Sequence, residues 1–304
     1  MAKRSKVEDN LKILQEFEDD SSDSEEDETI GEVVNITFEG FTAEEDDFHG
    51  IQRLLSQSFR GLQVNLSDLA DLVIAQNYVG CVIKQVIDDE KEEMEVDEDA
   101  LEGEPDVQSD SVFGLNTVFN ITLKKNKKSD ACLSSITSAL MQRCEASDAS
   151  QEIKQLFNKI LEANAAEHVG LLINERLVNL PAQISLPAFR TLQSEMEEAN
   201  KIQMPFDFKY FVLICKTYKI SLLKEKKKNR KQQQNGIDSR KVKTKEVYSN
   251  AEEELFAQSA CASFEYSVED CQTLTAESWN DLEVGQRRER PYRKVLLLPA
   301  EELA

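Results

Sequence analysis

Between Val169 and Leu192 the chain joins a compact apolar run to an amphipathic one. An apolar run from Val169 to Ile173, flanked by His168 and Asn174, predicts a buried strand. Leu177, Val178 and Leu180 lead to Pro181. Ile184, Leu186, Phe189 and Leu192 then follow at gaps of 2, 3 and 3, nearer to one helical face than to alternation. Ser185, just before Leu186 and Pro187, is the expected N-cap, with proline in the first turn. Elsewhere, Val34, Ile36 and Phe38 alternate with polar residues as a half-buried strand does. Thr42 and Glu45 match a capping box ahead of a helical face built from Phe48, Ile51, Leu54, Leu55 and Phe59. Leu66-Ser67-Asp68 opens a second helix through Leu69, Leu72 and Val73. Two more follow, one through Leu133, Ile136, Leu140 and Cys144, the other through Ile153, Leu156, Phe157 and Ile160. Asn250 caps a last helix with Glu252, Glu253 and Glu254 in its first turn. Val79 to Ile87, Val112 to Leu123, Phe206 to Tyr218, Ala262 to Val268 and Val295 to Leu298 are rich in β-branched and aromatic residues and predict strands. Strands alternating with single and paired helices predict an α/β (α+β) single domain, with a mixed central sheet flanked by helices.

Charge divides the chain differently. The net charge is -22 over 304 residues. Residues 16–28 hold 9 acids and no base, and residues 88–106 hold 12 acids and Lys91; together these stretches carry -20 of the total. Residues 224–245 are of opposite sign, with 10 Lys or Arg against Glu225 and Asp238. The expected organisation is therefore a disordered acidic tail over 1–30, then one domain over 31–304. An acidic loop (88–110) and a basic loop (224–246) interrupt that domain. Ser22 and Ser24, each with an acid three residues on, are candidate phosphorylation sites for acid-directed kinases. Lys227, Lys228 and Arg230, then Arg240, Lys241 and Lys243, fit short nuclear-import patterns and predict entry to the nucleus. No apolar run reaches the roughly 20 residues a membrane helix needs, so no membrane partner is expected. Without a secretory signal or a C-x-x-C, the six cysteines are expected to be reduced thiols of an intracellular protein.

Candidate chemistry is sparse. The ten glycines are never closer than nine positions, which excludes a P-loop or a dinucleotide fingerprint. His49 and His168 are the two histidines, and neither belongs to a Cys/His cluster, so no metal is expected. No G-x-S-x-G elbow is present. The acids concentrate in segments unsuited to holding a fixed, desolvated catalytic carboxylate. Direct nucleic-acid binding is not expected of so acidic a chain, despite aromatic residues beside the basic segment.

Six segments carry a family resemblance: Val34-Asn-Ile-Thr-Phe-Glu-Gly-Phe41, Ile74-Ala-Gln-Asn-Tyr-Val-Gly-Cys-Val-Ile-Lys84, Val112-Phe-Gly-Leu-Asn116, Val169-Gly-Leu-Leu-Ile-Asn-Glu-Arg176, Leu180-Pro-Ala-Gln-Ile-Ser-Leu-Pro187 and Asn250-Ala-Glu-Glu-Glu-Leu255. In order and spacing they resemble the BCCIP family of nuclear proteins. The resemblance implies a core similar to GCN5-related acetyltransferases, without their activity or any cofactor. It also implies a chaperone that escorts a basic large-subunit ribosomal protein, supports ribosome biogenesis and nuclear export, and acts in genome maintenance and cell-cycle control. Nuclear transport receptors and DNA-repair and cell-cycle regulators are the further partners implied, with shuttling between nucleus and cytoplasm. The runner-up is a degenerate acetyltransferase that uses acetyl-coenzyme A. Such enzymes cradle the cofactor pyrophosphate in an [RQ]-x-x-G-x-[GA] loop, yet no glycine here has Gly or Ala two positions on. On the binding hypothesis, Glu25, Glu26, Asp27, Asp97, Glu98 and Asp99 are the expected electrostatic contacts to a cationic client.

Overall fold

In the computed structural model, residues 36–86, 112–123, 127–161, 167–223, 242–268 and 287–303 are described. Eight strands form one sheet: β1 (Thr37–Phe41), β2 (Cys81–Val86), β3 (Gly114–Asn120), β4 (His168–Arg176), β5 (Phe208–Leu223), β6 (Val242–Tyr248), β7 (Ala262–Ser267) and β8 (Arg287–Pro299). Their order is β1-β2-β3-β4-β5-β8-β7, with β6 paired to β5 off that path. Neighbours are antiparallel except β4 and β5, which run parallel. The helices are α1 (Phe48–Ser58), α2 (Leu66–Ala75), α3 (Lys127–Ala146), α4 (Gln151–Leu161), α5 (Ser185–Lys201) and α6 (Glu252–Ser259). The mixed α/β single domain expected from the apolar pattern is the fold observed.

Both faces of the sheet are covered, which is why β4, β5 and β8 read as continuous apolar runs. One face carries Val169, Leu171 and Ile173 of β4, Val212 and Ile214 of β5, and Val295 and Leu297 of β8, packed with α1 to α4. Phe157 of α4 is fully buried there, edge-on to Phe264 of β7 at 5.0 Å between centroids. The other face carries Leu172, Phe211, Leu213, Leu296 and Leu298 against α5, with Phe256 of α6 packed alongside. Gly170 is needed on that face because a Cβ would come within 2.7 Å of the Phe211 ring and 2.8 Å of Val118.

Several local expectations are corrected. The box ahead of α1 closes two residues later than Thr42 and Glu45 suggest: the Asp47 carboxylate accepts from the Glu44 N–H at 3.0 Å. Ser185 is not the N-cap of α5. It follows a short 3-10 turn (Ala182–Ile184), and its hydroxyl accepts from Arg176 at 2.7 Å instead. Asn250 does not cap α6 through its side chain, which reaches across to β4. β6 takes in Val242–Glu246 of the stretch expected to be a basic loop, because a long β5 offers its edge to a lysine-rich partner strand. Lys243 therefore stands on β6. No described helix is long and apolar enough to cross a membrane.

Candidate functional site

β4 and β5 hold together only at their start. Parallel pairing runs from His168 opposite Phe208 to Leu172 opposite Leu213 and then stops. Beyond that point β4 stays with β3, while β5 takes β6 as its neighbour from Thr217 onward. The strands part where their apolar runs give way to Asn174, Glu175 and Arg176 on β4 and Lys216 on β5. Backbone groups at the edges of such a fork need partners. The end of β6 supplies them: Ser249 N–H donates to the Lys216 carbonyl at 2.9 Å, and Asn250 Nδ2 donates to the Asn174 carbonyl at 3.2 Å.

Polar side chains fill the fork on both faces. On the α1 side, Lys216 pairs with buried Glu175 and also donates to Gln57 Oε1 at 3.1 Å. Ser58 donates to the other Glu175 oxygen. Arg293 of β8 donates through Nε to the Gln57 and Ser58 carbonyls at 3.0 and 3.1 Å, satisfying carbonyls that the end of α1 leaves free. On the α6 side, Arg176 forms a two-pronged ion pair with Glu252, one prong at 2.9 Å. Asn174 donates to Glu252 at 3.0 Å. Burial pushes the Glu252 carboxyl up, but hydrogen bonds from Arg176 and Asn174 more than offset this and leave it below the usual range. Glu253, 1% exposed, accepts from Asn250 at 2.7 Å, and its buried Oε2 has no nitrogen or oxygen partner among the described residues. Burial raises its carboxyl to about 8. The adjoining Cys215 thiol is also pushed well up, by burial and then by Glu253.

A cavity of about 490 Å³ opens over this network, with Arg60, Arg176, Lys216 and Arg293 among its lining residues. Ser56, Tyr218 and Ser249 add hydroxyls, and the rim includes Val178, which is 96% exposed. None of these cations was singled out by motif. They come from the turn after α1 and from β4, β5 and β8, and meet only in space; the one local signal was a lysine or arginine inside or ending an apolar strand.

The residues expected to serve function lie elsewhere. Glu25, Glu26, Asp27, Asp97, Glu98, Asp99, Ser22, Ser24, Lys227, Lys228, Arg230, Arg240 and Lys241 fall outside the described residues. His168 opens β4 and shares a 3.1 Å hydrogen bond with Thr122. Among the described residues no group of His, Cys, Asp and Glu is placed to hold a metal, and Cys81, Cys132, Cys144, Cys215 and Cys261 form no disulfide with one another.

Known proteins resemble the whole of this domain. A BCCIP homologue of Drosophila melanogaster is 38% identical over 272 residues, covering 90% of this chain and 82% of that protein. The human protein named BRCA2 and CDKN1A-interacting protein is 34% identical over 278 residues, covering 91% and 80%. The crystal structure of BCP1 from Saccharomyces cerevisiae shares the fold with a TM-score of 0.50 at 17% identity, covering 92% of this chain and 90% of that one. The BCCIP family model matches residues 33–256, a span that begins just ahead of β1 and ends within α6, so that Glu175, Arg176, Lys216 and Asn250 all fall inside it. With this match over most of the sheet and relatives above 30% identity along nearly the whole chain, the protein belongs to the BCCIP family.

Proposed function

We propose that this protein is a non-enzymatic nuclear chaperone and adaptor that holds a strongly basic client, a large-subunit ribosomal protein, and escorts it through ribosome assembly and nuclear export. The observation that carries the proposal is the segregation of charge. Residues 16–28 and 88–106 hold -20 of the net -22, leaving the rest of the chain close to neutral. Concentrated negative charge speeds encounter with a cationic protein and competes with RNA phosphate for it. A non-enzymatic role is supported by the glycine spacing, which offers no [RQ]-x-x-G-x-[GA] loop to cradle a cofactor pyrophosphate. The human relative is named for interaction with BRCA2 and CDKN1A, which extends the adaptor role to DNA-repair and cell-cycle partners.

The test is affinity purification of the full chain at low and high salt, read by mass spectrometry, beside a variant lacking 16–28 and 88–106. The full chain should capture ribosomal proteins at low salt and lose them as screening shortens the reach of its charges. The deletion variant should lose most of that capture. Equal capture by both proteins would refute the proposal. Saturable binding of acetyl-coenzyme A in calorimetry would count against a purely non-enzymatic role.

A further inference from the structure

The cavity over the β4/β5 fork has the opposite character from the rest of the molecule. Four cationic side chains line it, Arg60, Arg176, Lys216 and Arg293. Two carboxylates answer them: Glu175 pairs with Lys216, and Glu252 with Arg176. Arg293 donates to the Gln57, Ser58 and Tyr292 carbonyls, with Glu175 near enough to act on its charge, and neither Arg293 nor Arg60 forms an ion pair among the described residues. With the Glu253 carboxyl held largely neutral at pH 7, the site keeps a surplus of about two positive charges. Arg60 and Arg293 also lie near enough to oppose each other: burial lowers Arg293 most, and Arg60 lowers it further. An anion between them would relieve that repulsion.

We propose that this cavity is a binding site for a phosphate monoester dianion. A monoester carries about -1.5 to -2 at pH 7, which matches the surplus, and its three oxygens suit forked guanidinium donors. The hydroxyls of Tyr218 and Ser249 supply further donors around the same space. A volume of about 490 Å³ accommodates a phosphate with an attached group and is too large for the ion alone. Val178 at the rim offers that group an apolar contact. Such a ligand is distinct from a basic client, which the cations would repel. The phosphate can come from a free small molecule or from a phosphorylated side chain, and the two sources are separable.

The probe is phenyl phosphate, titrated into the full chain by calorimetry, with benzoate as a singly charged control of similar bulk. Phenyl phosphate should bind saturably and about tenfold more tightly than benzoate, in proportion to the extra charge and donors engaged. Arg60→Ala removes a solvent-facing cation, leaves the buried network intact, and should weaken phenyl phosphate about tenfold. Arg53→Ala, on an exposed part of α1 away from the cavity lining, should change nothing. Adenosine monophosphate and a phosphoserine peptide then identify the source, the tighter of the two naming it. No saturable binding, equal affinity for benzoate, indifference to Arg60→Ala, or a phenyl phosphate affinity that neither biological probe exceeds would each overturn the proposal.

Discussion

Replacing Glu253 by glutamine should change how stability depends on pH, and the size of the change follows from where the carboxyl lies. Glu253 is 1% exposed. Burial is the main reason its carboxyl rises from 4.5 to about 8; the Asn250 hydrogen bond opposes the rise, Glu175 and Glu252 add to it, and Lys216 opposes it. Between those two values the native state keeps a proton that the unfolded chain has released. Stability must therefore fall as pH rises through that window, by about 1.4 kcal/mol per unit at most. From about pH 5.5 to about pH 7.5 the cost grows by roughly 2–3 kcal/mol. Glutamine keeps the shape and the oxygen that accepts from Asn250, yet it has no proton to lose. The informative assay is urea unfolding of both proteins at the two pH values. The free-energy difference between them should move by roughly 2–3 kcal/mol in favour of Glu253→Gln at the higher pH. A constant offset is expected from placing an amide NH2 where Oε2 has no nitrogen or oxygen partner among the described residues, so the slope and not the offset is the readout. Parallel pH profiles would refute a neutral Glu253 in the fold.

Two further predictions concern the framework of the site. Lys216→Met should cost about 3–5 kcal/mol in urea unfolding, because it strands the buried Glu175 carboxylate; adding Glu175→Gln should recover part of that loss, and a double-mutant cycle without coupling would contradict the pairing. Gly80→Ala should lower the melting temperature well beyond Gly61→Ala, although both glycines have positive φ. At Gly80 a Cβ would meet Thr117 Cβ at 2.5 Å and the Asn116 carbonyl at 2.7 Å, whereas at Gly61 its nearest neighbour is the Tyr266 ring at 3.2 Å. Equal losses would show that backbone conformation alone decides.

What the sequence disclosed follows from which forces are periodic. Val169 to Ile173 announced β4, and the faces through Ile51, Leu54 and Leu55 and through Phe157 and Ile160 announced α1 and α4, because burial imposes spacing. β6 escaped notice because its residues are lysine-rich: Lys243 and Lys245 mask the strand, and pairing with β5 supplies the stability that composition does not suggest. β8 was found at its apolar end and missed at its charged one for the same reason, whereas β5 runs five residues past Tyr218, through Ile220 and Leu222, to pair with β6 and β8. Ser185 and Asn250 looked like helix caps, as short polar residues before a helix usually are, but each was claimed by a longer-range partner: Arg176 for one, the Asn174 carbonyl for the other. The four cations of the cavity had no shared motif, only the weak signal of a basic residue inside or ending an apolar strand. Their sequence separations are large, and only the divergence of β4 from β5 brings them together.

That divergence also explains why so costly a set of groups persists. A buried ion pair such as Glu175–Lys216 rarely stabilises a fold more than apolar residues of the same size would, and a carboxyl held neutral by burial is a further cost. An apolar plug in the fork would give a firmer sheet, yet β4 and β5 replace their apolar runs with charge where they separate. The acids there are placed to hold cations in position: Glu175 fixes Lys216 and Glu252 fixes Arg176, while Arg60 and Arg293 are in no ion pair among the described residues. In a chain of net charge -22, fixed cations at the mouth of a cleft make a local field opposite in sign to that of the whole molecule. A protein with that division can hold a cation on its acidic segments and an anion in its folded body at once. Phosphate should therefore leave capture of a basic client unchanged, while salt, which screens separated charges far more than the buried Lys216 and Arg293, should release such a client first.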